Sequence, residues 1–440
     1  MKRNIFVIGL DDFHLDLMRR IRHAEDYEFH SLLSYEEAIN QTQRFSFDQL
    51  LEKAEASLRE FPGSVDAVIE HWDFPASTML PIICGRFGLR SPSLEAILKC
   101  EHKYWSRIEQ RKVLPEYTPR FQAVDPFDDR ALEKLEIPFP FWLKPIKSFS
   151  SYLGFRIDSE GDFREAMRKT REGIERVGAP FTEVLKYAQL PPEVAQIDGN
   201  HCIAEEIVSG LQCGVEGFTY NGKPYVHGVI DCVKDARRWS FTRYEYPSVW
   251  PQQVQQRMID ASKRLMAHLG YDNGAWGVEF FWHEDTDELA LIEINPRISQ
   301  SHSDQFIKVE GASNHEVLVD VALNREPDFC HDRGKYKSAA KFLLRKYNDT
   351  KVIRVPSARK IARVQRDFED AVVKVLVTEG MALSELPNQD SYSYEIANIY
   401  LGAQSQEELV HKYRQVSHAL DFEFADGKPV EDIQFEWVRY

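Results

Sequence analysis

The chain reads as an α/β and α+β protein, with a parallel-sheet domain at its N-terminus, a small α+β unit and a C-terminal α+β domain. Three observations predict this. Short apolar runs alternate with helical patterns over residues 4–87, as in a parallel sheet covered on both faces. Hairpin signals follow at Asn221-Gly222 and at the polar link 283–288, the mark of antiparallel pairing. The length of 440 residues exceeds one ordinary core, so several subdomains are expected.

Residues 4–10 predict a buried strand ending at Gly9, then a helix near 13–23, strands at 27–33 and 66–71, and a helix at 76–87. Ligands in such sheets bind beyond the strand C-termini. The residues after Gly9 do not spell GxGxxG, so no dinucleotide is expected there. Ser93 reads as the N-cap of one helix over 94–110 that carries Lys99, His102, Lys103 and Arg107. Pro115 and Pro119 open an extended link. Residues 137–146 form a very apolar strand whose Lys144 seeks an anion, or snorkels at the strand end. The segment 147–154 is polar and turn-like. Its backbone N–H groups and the hydroxyls of Ser148, Ser150 and Ser151 suit a phosphate, although an ordinary hairpin loop reads the same way. A helix at 161–173 and a Pro-marked stretch at 189–192 complete a small α+β unit.

Residues 201–208 and 211–219 read as a strand, a tight turn and a returning strand, with 225–233 as the next partner. Arg237, Arg238 and Arg243 then stand among aromatic residues. They suit an anionic or aromatic substrate, or a solvated loop with packed rings. A helix at 252–269 follows. The last hundred residues show strands at 339–344 and 372–377 and a helix at 405–420, with acidic residues in its first turn. No catalytic cluster is visible there, and the segment reads as packing.

The most informative stretch is 289–297, LALIEINPR. Side chains alternate along a strand, so Leu289, Leu291, Glu293, Asn295 and Arg297 are expected on one side. A second strand, 277–282, precedes it. A turn centred near Thr286 sets Glu279 opposite Glu293. Like charges across a ladder destabilise it, so the pair calls for a cation. Two carboxylates and an amide oxygen suit Mg2+, with Mn2+ able to stand in. Arg297 then faces the anion that the metal holds. Ser301 and His302 lie just beyond.

A net charge of −15 and a pI near 5.5 argue against nucleic acid or an anionic membrane as partner. The six cysteines form no CxxC pair, which argues against zinc and for a reducing compartment. No apolar run reaches transmembrane length, and the start turns acidic too soon for a signal peptide. The cytoplasm is the default address, and a homodimer is the base-rate expectation.

Taken in order, Lys103, Lys144-Pro, a phosphate loop, Glu205-Glu206-Ile207-Val208, Glu279 and Glu293-Ile-Asn-Pro-Arg297 resemble the ATP-grasp superfamily. The layout is similar to biotin carboxylase and to bacterial L-amino-acid ligases that make dipeptides, over nearly the whole chain. The resemblance implies an N-terminal Rossmann-like domain at 1–103, a linker at 104–124, a lid at 125–203, a catalytic subdomain at 204–330 and a C-terminal α+β subdomain at 331–440. It implies ATP and Mg2+ as cofactors. Lys103, Lys144 and the hydroxyls of Ser150 and Ser151 would contact phosphates. The backbone of Glu206 to Val208, with the Glu205 side chain nearby, would hold adenine, and Gln212 would stand where relatives carry Glu for the ribose. Glu279, Glu293 and Asn295 would bind metal, and Arg297 would steady the transferring phosphoryl group.

Three departures narrow the reading. The loop at 147–154 has one glycine where relatives often have several. Gln212 replaces Glu. After Arg297 the chain reads Ser301-His302, where biotin carboxylase carries Glu-His to handle bicarbonate. The resemblance therefore implies an ATP-dependent carboxylate–amine ligase working through an acyl phosphate and releasing ADP and phosphate. Its substrates would be small acids and amines, amino acids first. A bicarbonate-activating carboxylase or carbamoyl-phosphate-like enzyme, and a non-catalytic nucleotide-binding protein, are the alternatives.

Overall fold

The computed structural model describes residues 2–39, 43–148, 152–235, 240–329, 331–386, 389 and 392–430. Strand β1 (Arg3–Leu10) carries helix α1 (Asp12–Met18) at its end, and β2 (Tyr27–Ser34) leads into the short α2 (Tyr35–Ala38) and α3 (Phe47–Glu60). Next come β3 (Ala67–Ile69) and α4 (Ala76–Phe87). The three strands form a parallel sheet in the order β2-β1-β3. Phe6 and Ile8 enter one core while Ile5 and Val7 enter another. Both faces are covered, which is why the strand reads as an unbroken apolar run. The helix expected near 13–23 stops at Met18.

The helix expected over 94–110 is two helices, α5 (Leu94–Glu101) and α6 (Lys103–Val113). His102 breaks it with an extended backbone, ψ 95°. Its Nδ1 accepts the Trp105 N–H at 3.2 Å, and Nε2 lies 2.7 Å from the Ile197 carbonyl. Burial pulls this imidazole down to about 4, so a neutral ring with Nε2–H donating satisfies both contacts. The break places Lys103 in the first turn of α6.

A second sheet is antiparallel, in the order β4-β7-β5-β6. It joins β4 (Phe121–Val124), β5 (Phe141–Pro145), β6 (Phe155–Ile157) and β7 (Cys202–Glu206). Helix α7 (Glu160–Gly173) packs on it through Phe163 and Met167, against Phe141, Leu143 and Ile157. Helix α8 (Glu175–Leu185) follows. Its Gly178-Ala179-Pro180 weakens the helical signal. Strand β4 falls in the stretch expected to be a link; its register against β7 pairs Phe121 with Glu205.

The largest sheet has eight strands in the order β12-β11-β8-β9-β10-β13-β16-β15. It is built from β8 (Leu211–Tyr220), β9 (Lys223–Lys234) and β10 (Phe241–Tyr246), then, after α9 (Gln252–Leu269), from β11 (Gly274–His283) and β12 (Glu288–Asn295). Helices α10 (Ser303–Glu310) and α11 (Asn314–Ala322) intervene before β13 (Ser338–Lys346). The rest comprises β14 (Val352–Arg354), α12 (Ala358–Asp367), β15 (Val372–Val375), β16 (Tyr394–Ala403), α13 (Gln406–Ala419) and β17 (Glu423–Phe424). The C-terminal strands thus extend the central sheet. Helix α9 covers β8, β11 and β12 on one face, and α13 covers β13 and β16. The opposite face carries the polar residues discussed below. No helix among the described residues is long and apolar enough to cross a membrane.

Candidate functional site

Glu279 and Glu293 are direct partners in the β11–β12 ladder, as the hairpin pattern predicts. The side expected for their neighbours needs correcting. Register shifts between Glu279 and Phe280, so that Phe280 pairs with Leu291 and Ile292 is an extra residue. A bulge of this kind re-aims the strand. Leu289, Leu291 and Ile294 therefore pack into the core under α9, while Glu293 and Asn295 point to the other face. Simple alternation would have put Leu291 and Glu293 together. Arg107 of α6 holds the bulge, donating from Nη1 to the Leu291 carbonyl at 2.9 Å and from Nη2 to the Ile292 carbonyl at 2.8 Å.

Glu279 accepts from the Gln212 amide at 2.7 Å and the Asn295 amide at 3.0 Å. Burial, then the facing Glu293, raises its carboxyl above the usual range. Glu293 has no hydrogen bond or ion pair with any described residue. Lys103 lies close enough to feel it, although burial pulls the Lys103 amine down overall. Its Nζ donates to the Ser148 carbonyl at 3.1 Å.

Arg297 reaches the Asn295 side-chain oxygen at 3.2 Å and Asp73 at 3.4 Å. Asp73 also binds Lys147 at 2.6 Å, and Lys147 lies 3.2 Å from Glu101. Burial opposes the charge on Asp73, but Lys147 and Arg297 overcome it and hold the carboxyl low. This network joins the end of the parallel sheet to the end of β12. Sequence reasoning missed Asp73, Glu101 and Lys147 as members. The available signal was Asp73 just beyond a strand C-terminus, where such sheets bind ligands.

Lys144 on β5 pairs with Glu205 on β7 at 2.5 Å, and Arg107 binds the same carboxylate at 2.6 Å. Burial acts against it, yet the two cations hold Glu205 at about 2. Glu206 instead faces outward to Arg120 at 3.1 Å. Beyond them, Ile207, Val208 and Gln212 line a cleft of about 310 Å³ together with Trp142, Lys234 and Phe281. It lies between the four-stranded sheet and the large sheet. Its size falls within the usual range of small-molecule sites.

Of the remaining expected residues, Ser150, Ser151, Arg237 and Arg238 lie outside the described residues. Arg243 lines this cleft but stands on the sheet face opposite Glu279. It pairs with Phe342, a core residue, in the β10–β13 register and binds Glu245 at 2.7 Å. Ser301 accepts from Lys341 at 3.1 Å. His302 is buried, with Nδ1 bonded to Glu216 and its ring 5.2 Å from that of Tyr244.

The donor set fits a hard divalent cation. Glu279 and Glu293 face one another, Asn295 is beside them, and Glu293 has no other described partner. Carboxylate and amide oxygens are the ligands such ions take.

Residues 137–304 match the family model of the ATP-grasp domain. The chain is 22% identical over 276 residues to the carbamoyl phosphate synthase large chain of Halomonas eurihalina, covering 59% of this chain and 24% of that protein. It is 25% identical over 232 residues to the uncharacterized protein y4rH of Sinorhizobium fredii, covering 52% and 42%. The chain therefore matches less than half the length of these curated relatives. Among solved structures it resembles the L-amino acid ligase from Bacillus licheniformis, with TM-score 0.74 and 15% identity, over 96% of this chain and 99% of that one. It also resembles a biotin carboxylase from Campylobacter jejuni solved with a β,γ-ATP ligand, with TM-score 0.63 and 14% identity, over 96% and 92%. The protein has the ATP-grasp fold and carries an ATP-grasp domain at residues 137–304.

Proposed function

We propose that this protein is an ATP-dependent carboxylate–amine ligase. The observation that carries the reading is the pair Glu279 and Glu293, turned to one face by the bulge and set beside Asn295, Arg297 and Lys103. A carboxylate does not react with an amine at neutral pH, so it needs activation. An oxygen of the acid attacks the γ-phosphorus of ATP, the bond to the β-phosphate oxygen breaks, and ADP leaves. The amine nitrogen then attacks the acyl carbon, loses a proton, and displaces phosphate to leave an amide.

Each residue has a part in this scheme. Trp142, Phe281 and the backbone at 206–208 hold the base in the cleft, and Lys144 and Lys103 meet the phosphates. Arg297 balances charge on the phosphoryl group in flight, and its tie to Asp73 fixes its direction. Mg2+ held by Glu279, Glu293 and Asn295 would supply further charge neutralisation. The unit at 125–203 acts as a lid that keeps water from the acyl phosphate.

ADP should appear only when an acid and an amine are both supplied, and hydroxylamine should trap the acyl phosphate. Stoichiometric AMP would reject the reading. The similarity to carbamoyl phosphate synthase favours a second one, activation of bicarbonate. ADP release that depends on bicarbonate alone would select it.

A further inference from the structure

The large sheet carries a second polar region on the same face as Glu279. The register runs in one row from Gln212 to Cys232, Tyr244, Lys341 and Tyr400. Partners across a ladder share a face. Gln212 and Glu279 share theirs, since the two side chains are hydrogen-bonded. Lys341 therefore stands on the candidate site's face, three strands from Gln212, or about 14 Å at the usual strand spacing.

Lys341 is 9% exposed. Among the described residues its one hydrogen bond is to Ser301, four residues beyond Arg297, and its amine lies 5.9 Å from the centre of the Tyr400 ring. No described carboxylate pairs with it. Glu395, the acid that acts on it, lies 3.5 Å from Arg345. Burial pulls the amine down; Glu395 favours its charge, while the neighbouring cations Lys374 and Arg345 oppose it. A buried ammonium without a counter-ion is costly. Two further groups in this wall lack a hydrogen-bond partner among the described residues, the side-chain oxygen of Asn398 and Nε2 of His302. Lys374, opposite Asn398 in the β15–β16 register, lies 5.0 Å from the Phe13 ring of the N-terminal domain. The wall thus combines an amine that no described carboxylate pairs with, a hydroxyl and polar atoms without a described partner.

We infer that Lys341 and Ser301, with Lys374 beside them, seat a carboxylate of the substrate remote from the one that is phosphorylated. The inference rests on the ligase reading and names its substrate class: an acceptor amino acid held by its own carboxylate, or a dicarboxylic donor. The missing counter-ion of Lys341 is then the substrate itself.

The test uses the full chain with ATP and Mg2+ and measures ADP release over matched probes. Acceptor amino acids are compared with their amides, and dicarboxylic donors with their monoamides. In one arm, the charged probe should exceed its amide at least tenfold in kcat/KM, and that arm identifies the source of the carboxylate. Lys341→Met should abolish the preference by raising KM for the charged probe, with kcat changed far less. Lys341→Arg should keep it. Ser301→Ala should weaken it, and serves if Lys341→Met fails to fold. Turnover without a charge preference, or a preference that survives both Lys341→Met and Ser301→Ala, overturns the seat. If the wild type releases no ADP with any pair, the ligase reading has failed. The seat is then judged by trinitrophenylation of Lys341: slowing by succinate or L-alanine but not by succinamide or L-alaninamide supports an anion seat, and no protection overturns it.

Discussion

Arg107 and Glu293 are linked through one irregularity in β12. Two guanidinium N–H groups of Arg107 bind the carbonyls of Leu291 and Ile292, the residues at the bulge that turns Glu293 out of the core register. Its Nε binds Glu205 at 2.6 Å. One buried side chain thus fixes the strand that presents the acids and the strand that leads to the cleft.

Arg107→Ala leaves Glu205 with Lys144 alone and two carbonyls unpaired. Breaking a buried pair costs about 3–5 kcal/mol. A denaturation midpoint should fall accordingly, and ATP affinity should fall with it under conditions where the variant stays folded. An unchanged midpoint would show that the Arg107 network contributes little.

Glu279 and Glu293 repel each other in the metal-free protein. Glu293→Gln breaks no hydrogen bond or ion pair to a described residue and removes one charge. The apo protein should gain about 0.2–1 kcal/mol, the scale of one cross-strand pair. The rise in Tm on adding Mg2+ and ATP should shrink, because a ligand stabilises only the state that binds it. Thermal melts with and without MgATP read both effects.

Arg297→Ala should lower kcat/KM by about 10²–10³, the loss seen when one preorganised donor is removed from a developing charge. Asp73 retains Lys147 at 2.6 Å, so the fold should persist. Steady-state kinetics with a substrate pair from the ADP screen, together with a melt, separate the two.

Acid should weaken the fold through His315. Its side chain is fully buried, and burial pulls it from 6.5 to about 3. Between those values the unfolded chain binds the proton and the folded one does not. Stability contributed by the neutral ring is therefore full above 6.5 and lost progressively as pH falls. The loss is on the order of a few kcal/mol. His315→Asn should flatten the stability profile over this window, as urea unfolding at a series of pH values would show. An unaltered profile would contradict the assignment.

The hairpin that faces Glu279 with Glu293 was legible because a polar turn between two apolar runs fixes register. Helix 252–269 was legible from its periodicity, and 76–87, buried throughout 76–84, from its place after a strand. The bulge was not, since Ile292 is one more apolar residue among others and only the Arg107 contacts mark it. His102 looked like a mid-helix residue because its capping role depends on Ile197, far away in sequence. The Asp73–Lys147 pair spans 74 residues and crosses two sheets, so no local pattern announces it. Lys341 lay in a stretch that read as packing, and only the ladder register places it on the site's face.

The central claim is that Glu279 and Glu293 share a divalent ion with a bound nucleotide. Calorimetric titration of ATP, with and without Mg2+, into the wild type and into a Glu279→Gln, Glu293→Gln double variant tests it most directly. The claim predicts that Mg2+ tightens ATP binding at least tenfold in the wild type and not in the variant. Equal metal dependence in both proteins would contradict it.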